Sequence, residues 1–91
     1  MAQVVITLKI KPESPQVNLN YIAEQATKLI TDFGGHVGKT EEEPIAYGLK
    51  SLNIFFLMDE AKGSTQLLEE KLSLISGINS VDVVDVRRTI G

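Results

Sequence analysis

Gly38-Lys39-Thr40 comes nearest to a chemical motif in this chain, because it resembles the end of a phosphate-binding loop. The leading glycine of that motif would fall at Phe33, and a strand should precede the loop with a helix after it. Here a helical pattern precedes, and Glu41-Glu42-Glu43 follows with three carboxylates that repel a nucleotide phosphate. The same glutamates could be read as metal ligands. On a strand, alternate side chains point to opposite faces, so at most two of the three converge. Charges of this kind on an edge strand discourage stray pairing, which is the simpler reading. His36 is the only histidine, and a metal site needs more ligands nearby. There is no cysteine to act as nucleophile, and no serine pairs recognisably with a base. The residues therefore predict no covalent chemistry, no metal and no cofactor.

The next stretch, Glu43-Pro44-Ile45-Ala46-Tyr47-Gly48-Leu49-Lys50, joins the acidic run to the most hydrophobic strand pattern in the sequence. Proline fixes one backbone angle and glycine frees another, so Pro44 and Gly48 set the pose of Tyr47 between them. A tyrosine beside a glycine can simply pack over it. It can also serve as an interface anchor, burying large area at low entropy cost, and strand-to-strand turns are where such function concentrates. Residue chemistry leaves both readings open and reaches an interaction module.

The elements that would carry this segment follow from periodicity. From Gln3 to Lys11, Val4, Ile6, Leu8 and Ile10 point one way, while Val5, Thr7, Lys9 and Lys11 point the other, which predicts a strand with one buried face. Pro12 and Pro15 end it. Asn18 is a helix cap; Leu19, Ile22, Ala23, Ala26, Leu29, Ile30 and Phe33 follow with helical spacing, and Gly34-Gly35 supplies a left-handed stop. His36 to Glu43 reads as an edge strand and Leu49 to Met58 as a central one. Asp59 to Gly63 is a turn. Ser64 or Thr65 caps a second helix with Leu68, Leu72 and Ile75 as its stripe, closed by Gly77. Val81 to Arg88 is the last strand, and Val83-Val84 breaks its alternation at the place a bulge would. The order βαββαβ is the ferredoxin-like α+β plan, a four-stranded antiparallel-type sheet with two helices on one face.

Ninety-one residues with 43% hydrophobic content and no disulfide or zinc staple predict a single domain, 1–91, resting on an apolar core. The net charge of −3, from nine basic and twelve acidic residues, argues against non-specific nucleic-acid binding. The start lacks a signal-peptide pattern, and the run from Leu52 to Met58 is far too short to cross a bilayer. The expectation is a soluble, cytoplasmic protein with no membrane contact. Phe55 and Leu57 fall on the sheet face away from the helices. Exposed apolar groups there suggest a partner surface, and partial burial at the sheet ends explains them equally well.

The run from Glu43 to Lys50 resembles the signature segment of translation elongation factor 1-beta in its short archaeal form. The likeness extends to the opening strand ending Lys11-Pro12-Glu13-Ser14-Pro15, and to the closing Val81-Asp82-Val83-Val84-Asp85-Val86-Arg87-Arg88. The family's usual signature aromatic is phenylalanine; Tyr47 departs from it. The resemblance implies a ferredoxin-like fold and guanine-nucleotide exchange on the GTPase elongation factor 1-alpha, with no catalytic residue and no oligomer required. It implies docking through Pro44, Ile45, Ala46, Tyr47, Gly48 and Lys50, with the C-terminal end approaching the partner's magnesium and nucleotide phosphates. Longer eukaryotic relatives use a lysine near the C-terminus for that purpose. This chain ends Arg87-Arg88-Thr89-Ile90-Gly91, so that lysine's role has no residue to carry it, and Arg87 or Arg88 is left as its substitute.

Two other function classes fit the same plan. One is a small-molecule-binding regulatory or dimerisation module associating through its sheet, motivated by Phe55 and Leu57. The other, an acylphosphatase-like enzyme, needs an arginine in the loop after the first strand, and Pro12 to Val17 holds none.

Overall fold

The period-two pattern at the N-terminus forms strand β1 (Gln3–Pro12), which buries Ile6, Leu8 and Ile10 on one side, as expected. A computed structural model describes residues 2–89 of the chain. The chain continues as helix α1 (Leu19–Phe33), strand β2 (His36–Pro44), a short 3-10 turn Ala46–Gly48, and strand β3 (Lys50–Asp59). A second 3-10 turn, Glu60–Lys62, leads to helix α2 (Gln66–Ser73) and strand β4 (Ile78–Arg88). The strands lie in the order β2-β3-β1-β4 with every pairing antiparallel. This is the ferredoxin-like arrangement. The apolar strands β1 and β3 are central, and the charged strand β2 is an edge.

The core sits between one sheet face and the two helices. Ile22, Ala26 and Ile30 of α1 and Leu68 and Leu72 of α2 are fully buried against Leu8, Ile10, Ile54 and Phe56. The Asn18 side chain accepts from the backbone N–H groups of Asn20 (2.9 Å) and Tyr21 (3.2 Å), so the first turn of α1 is satisfied. Gly34 ends the helix in the left-handed conformation at φ 104°, and the Gly35 N–H returns to the Ile30 carbonyl at 2.8 Å.

Differences from the sequence reading are local. Strand β3 starts at Lys50 rather than Leu49, because the Leu49 N–H closes the preceding turn on the Ala46 carbonyl. At the start of α2, Ser64 Oγ accepts from the Gln66 N–H (3.1 Å), while the Thr65 hydroxyl donates to Glu69 (2.8 Å) instead of capping. The helix also stops at Ser73, before Gly77. That glycine, at φ 95°, turns the chain into β4, where its carbonyl accepts from the Glu13 N–H. Strand β4 begins at Ile78 rather than Val81, since β1 remains paired to its very end, Pro12 opposite Ile78. The Val83-Val84 irregularity is a bulge: Thr7 pairs with Asp85 and Leu8 with Val83, so Val84 has no opposite number.

Candidate functional site

Strands β2 and β3 form a hairpin whose ladder ends at the pair Pro44 and Lys50. Beyond it, the Ile45 N–H donates to the Leu49 carbonyl (2.8 Å) and the Leu49 N–H to the Ala46 carbonyl (3.3 Å). The two residues inside that last turn both have positive φ, Tyr47 at 64° (ψ 30°) and Gly48 at 73°. This matches the type I′ turn, whose twist suits a hairpin and whose favoured central pair is Asn-Gly. Among the described residues, Tyr47 is the one non-glycine residue with positive φ. A bulky side chain there costs about 1 kcal/mol of backbone strain. The hydrogen-bonded turn thus forces Tyr47 itself, and not only Gly48, into the left-handed region.

Tyr47 is 94% exposed, so it does not pack over its neighbouring glycine. Pro44, Ala46, Gly48 and Lys50 are exposed as well, and Ile45 is half-buried. Beside the hairpin, an open cavity of about 260 Å³ lies against the β1–α1 connection, lined among others by Pro12, Pro15, Val17, Gly48 and Lys50.

The other two expected site residues are elsewhere. Arg87 and Arg88 end β4, where Val5 pairs with Arg87 and Val4 with Arg88, at the same end of the sheet as Asp59 of β3. The hairpin tip lies beyond the opposite end of β3. Ten residues of strand place the two groups about 30 Å apart. Both arginines are engaged within the chain. Arg87 Nε meets Asp85 Oδ2 at 2.9 Å, and Arg88 reaches Glu60 with two guanidinium nitrogens, Nε at 2.6 Å from Oε2. The second contact raises the Arg88 pKa further above its already high ordinary value, through hydrogen bonding and then charge attraction. Ile90 and Gly91 of the expected C-terminal stretch lie outside the described residues.

The motifs set aside on sequence grounds take ordinary places. Gly38 is the bulged residue of β2, skipped between the pairs Val37–Phe56 and Lys39–Phe55, and no loop cradles a phosphate there. Glu41 and Glu43 face the side away from the helices and Glu42 faces the other, following their partners Asn53, Ser51 and Leu52. Glu41 pairs with Lys39 at 2.9 Å and Glu43 with Lys9 at 3.0 Å. Among the described residues no three His, Cys, Asp or Glu side chains converge.

On the uncovered sheet face, Phe55 and Leu57 are half-buried rather than open, and the Lys39 ammonium stands 4.6 Å from the Phe55 ring centroid. That favours partial burial over an apolar partner patch. Two features of the site carried no recognised signal in the sequence: the strained pose of Tyr47, and the pairing of Lys9 with Glu43. The first could have been read from Tyr-Gly standing at the centre of a tight strand-to-strand turn.

Comparison with known proteins gives a concordant result. Residues 5–89 match the model of the EF-1 guanine nucleotide exchange domain family. Elongation factor 1-beta of Methanothermobacter thermautotrophicus is 42% identical over 88 residues, covering 97% of this chain and 98% of the relative. Elongation factor 1-beta of Sulfolobus acidocaldarius is 41% identical over 86 residues, with 93% and 94% covered. Among solved structures, the ACT domain from GTP pyrophosphokinase of Chlorobium tepidum superposes with a TM-score of 0.61 at 18% identity, covering 90% of this chain and 99% of that one. The C-terminal domain of the MgtC protein from Mycobacterium tuberculosis gives 0.58 at 18% identity, with 98% and 87% covered. At those identities the structural likeness is one of fold alone.

Proposed function

The chain belongs to the EF-1 guanine nucleotide exchange domain family, and from that premise we propose that it promotes GDP release from elongation factor 1-alpha. The observation that carries the reading is the family match along nearly the whole chain. The Tyr47 turn adds a physical reason, because strain that holds an almost fully exposed aromatic ring serves docking and nothing inside the fold.

Exchange of this kind makes and breaks no bond. The factor binds the nucleotide-free GTPase more tightly than the loaded one, and by linkage that difference lowers nucleotide affinity by the same factor. A thousandfold weakening requires about 4 kcal/mol of differential binding. One buried aromatic anchor with a few charged contacts supplies that much. In this reading Tyr47 inserts into the GTPase, with Pro44, Ile45, Ala46, Gly48 and Lys50 forming the surface around it. Arg87 or Arg88 approaches the magnesium and phosphate site at the other end of the sheet. The partner must then meet the module at two places about 30 Å apart. Its place of action would be the cytoplasm, with translation.

Release of labelled GDP from the cognate elongation factor 1-alpha tests the proposal. Micromolar chain should accelerate release many-fold over the spontaneous rate; an unchanged rate overturns it.

A further inference from the structure

Ser51 points to the sheet face that no helix covers, in register with Glu43, yet it is fully buried. Over the same part of the face, Lys9 of β1 reaches across β3 to Glu43 of β2, Nζ to Oε1 at 3.0 Å. Asn53, the β3 residue directly beside Lys9 in the ladder, directs its amide nitrogen to the same Glu43 oxygen at 3.4 Å. The Ser51 hydroxyl lies 3.4 Å from the Glu43 carbonyl and 3.3 Å from Asn53 Oδ1. Four polar side chains thus form a strap over three strands. The Lys9 side chain is only 27% exposed, low for a lysine on an open face. Hydrogen bonds from Lys9 and then Asn53, with the nearby ammonium charge, hold the Glu43 carboxyl below its ordinary pKa.

The strap's position is what gives it a role. Glu43 immediately precedes Pro44, where the hairpin ladder stops and the tip with Tyr47 begins. Strand β2 is an edge, joined to the sheet by β3 alone, and its side chains from Lys39 to Pro44 are exposed. An edge held on one side can twist away from the sheet. The ion pair to Lys9 is a second tether, and it comes from the strand beyond β3.

We propose that Lys9 is a positioning residue for the exchange reaction: through Glu43 it fixes the base of the hairpin, and so the direction in which Tyr47 meets the GTPase. This rests on the reading that the hairpin docks on elongation factor 1-alpha. Lys9 itself touches nothing on the partner.

Affinity for nucleotide-free elongation factor 1-alpha should be measured for the wild type, Lys9→Met, Tyr47→Ala and the double variant. Lys9→Met should weaken binding about fivefold, the reach of a well-placed ion pair. In the Tyr47→Ala background the same change should matter less than about twofold, because there is no ring left to aim. Reversing the pair with Lys9→Glu and Glu43→Lys should restore most of the loss. An equal loss in both backgrounds, or no loss at all, overturns the proposal. Order parameters of the backbone amides at residues 45–49 provide an arm that needs no partner. They should fall in Lys9→Met while those of β1 hold, and unchanged values overturn the proposal as well. A wild-type chain that fails to bind the GTPase refutes the docking function, and the amide measurement still decides the strap.

Discussion

At the scale of single residues, the informative conflict is between what the turn prefers and what stands in it. The type I′ geometry of Tyr47-Gly48 favours asparagine at the first central position, since asparagine tolerates the left-handed region that tyrosine enters only at a cost. Tyr47 returns none of that cost within the fold, being 94% exposed. Replacing it should therefore move stability and function in opposite directions. Tyr47→Asn is expected to stabilise the chain by about 0.5–1 kcal/mol in denaturant unfolding. It should also weaken binding to elongation factor 1-alpha by at least about 2 kcal/mol, roughly thirtyfold, as loss of a central aromatic anchor does. A destabilised variant would show that the turn is not strained by its side chain, and one that binds normally would remove Tyr47 from the interface.

At the scale of elements, the glycine pair after α1 shows how far the sequence could be read and where it stopped. Gly34-Gly35 reads as one left-handed helix stop, and Gly34 behaves so, at φ 104° with only the flexible end of Lys62 near a hypothetical Cβ. Gly35 has a different reason. A Cβ there would lie 2.7 Å from Ile30 Cγ2 and 2.9 Å from Phe56 Cδ2, both in fully buried side chains that cannot give way. Gly35→Ala should thus cost about 1–3 kcal/mol by overpacking, measured as a shift in the urea midpoint at constant slope. A cost below about 0.5 kcal/mol would show that the core has slack at this point. Periodicity exposes the helix end because a stop is a local event. The close approach of Phe56 comes from the central strand, far along the chain, and no local pattern announces it. The same distinction covers the site. Pro44, Tyr47 and Gly48 were legible as a stiff turn because their constraints are local. The Lys9–Glu43 strap joins residues in two strands that do not pair with one another, so only the β2-β3-β1 order brings them together. Strand β4 falls between, since its doubled valine announced a bulge but its true start depended on how far β1 stays paired.

At the scale of the whole molecule, the proposed contacts lie at opposite ends of the sheet, and that separation has a measurable consequence. The hairpin tip and the Arg87-Arg88 end are about 30 Å apart along β3, well beyond the distance at which side chains couple directly. If both ends meet the GTPase, the free-energy losses from Tyr47→Ala and Arg88→Ala should add, agreeing with the double variant to within about 0.5 kcal/mol of binding energy. The two losses should differ in kind. The tyrosine contact is apolar and should change little with ionic strength, whereas the arginine contact should weaken as salt rises. Arg88 must also exchange its fork on Glu60 for a group on the partner. Because that pair is exposed, releasing it is cheap, and the arginine remains available. Equilibrium binding of the three variants at low and high salt provides the check. An Arg88→Ala variant with wild-type affinity at both salt concentrations would remove Arg88 from the contact, and leave Tyr47 and its hairpin as the part of the molecule that binds.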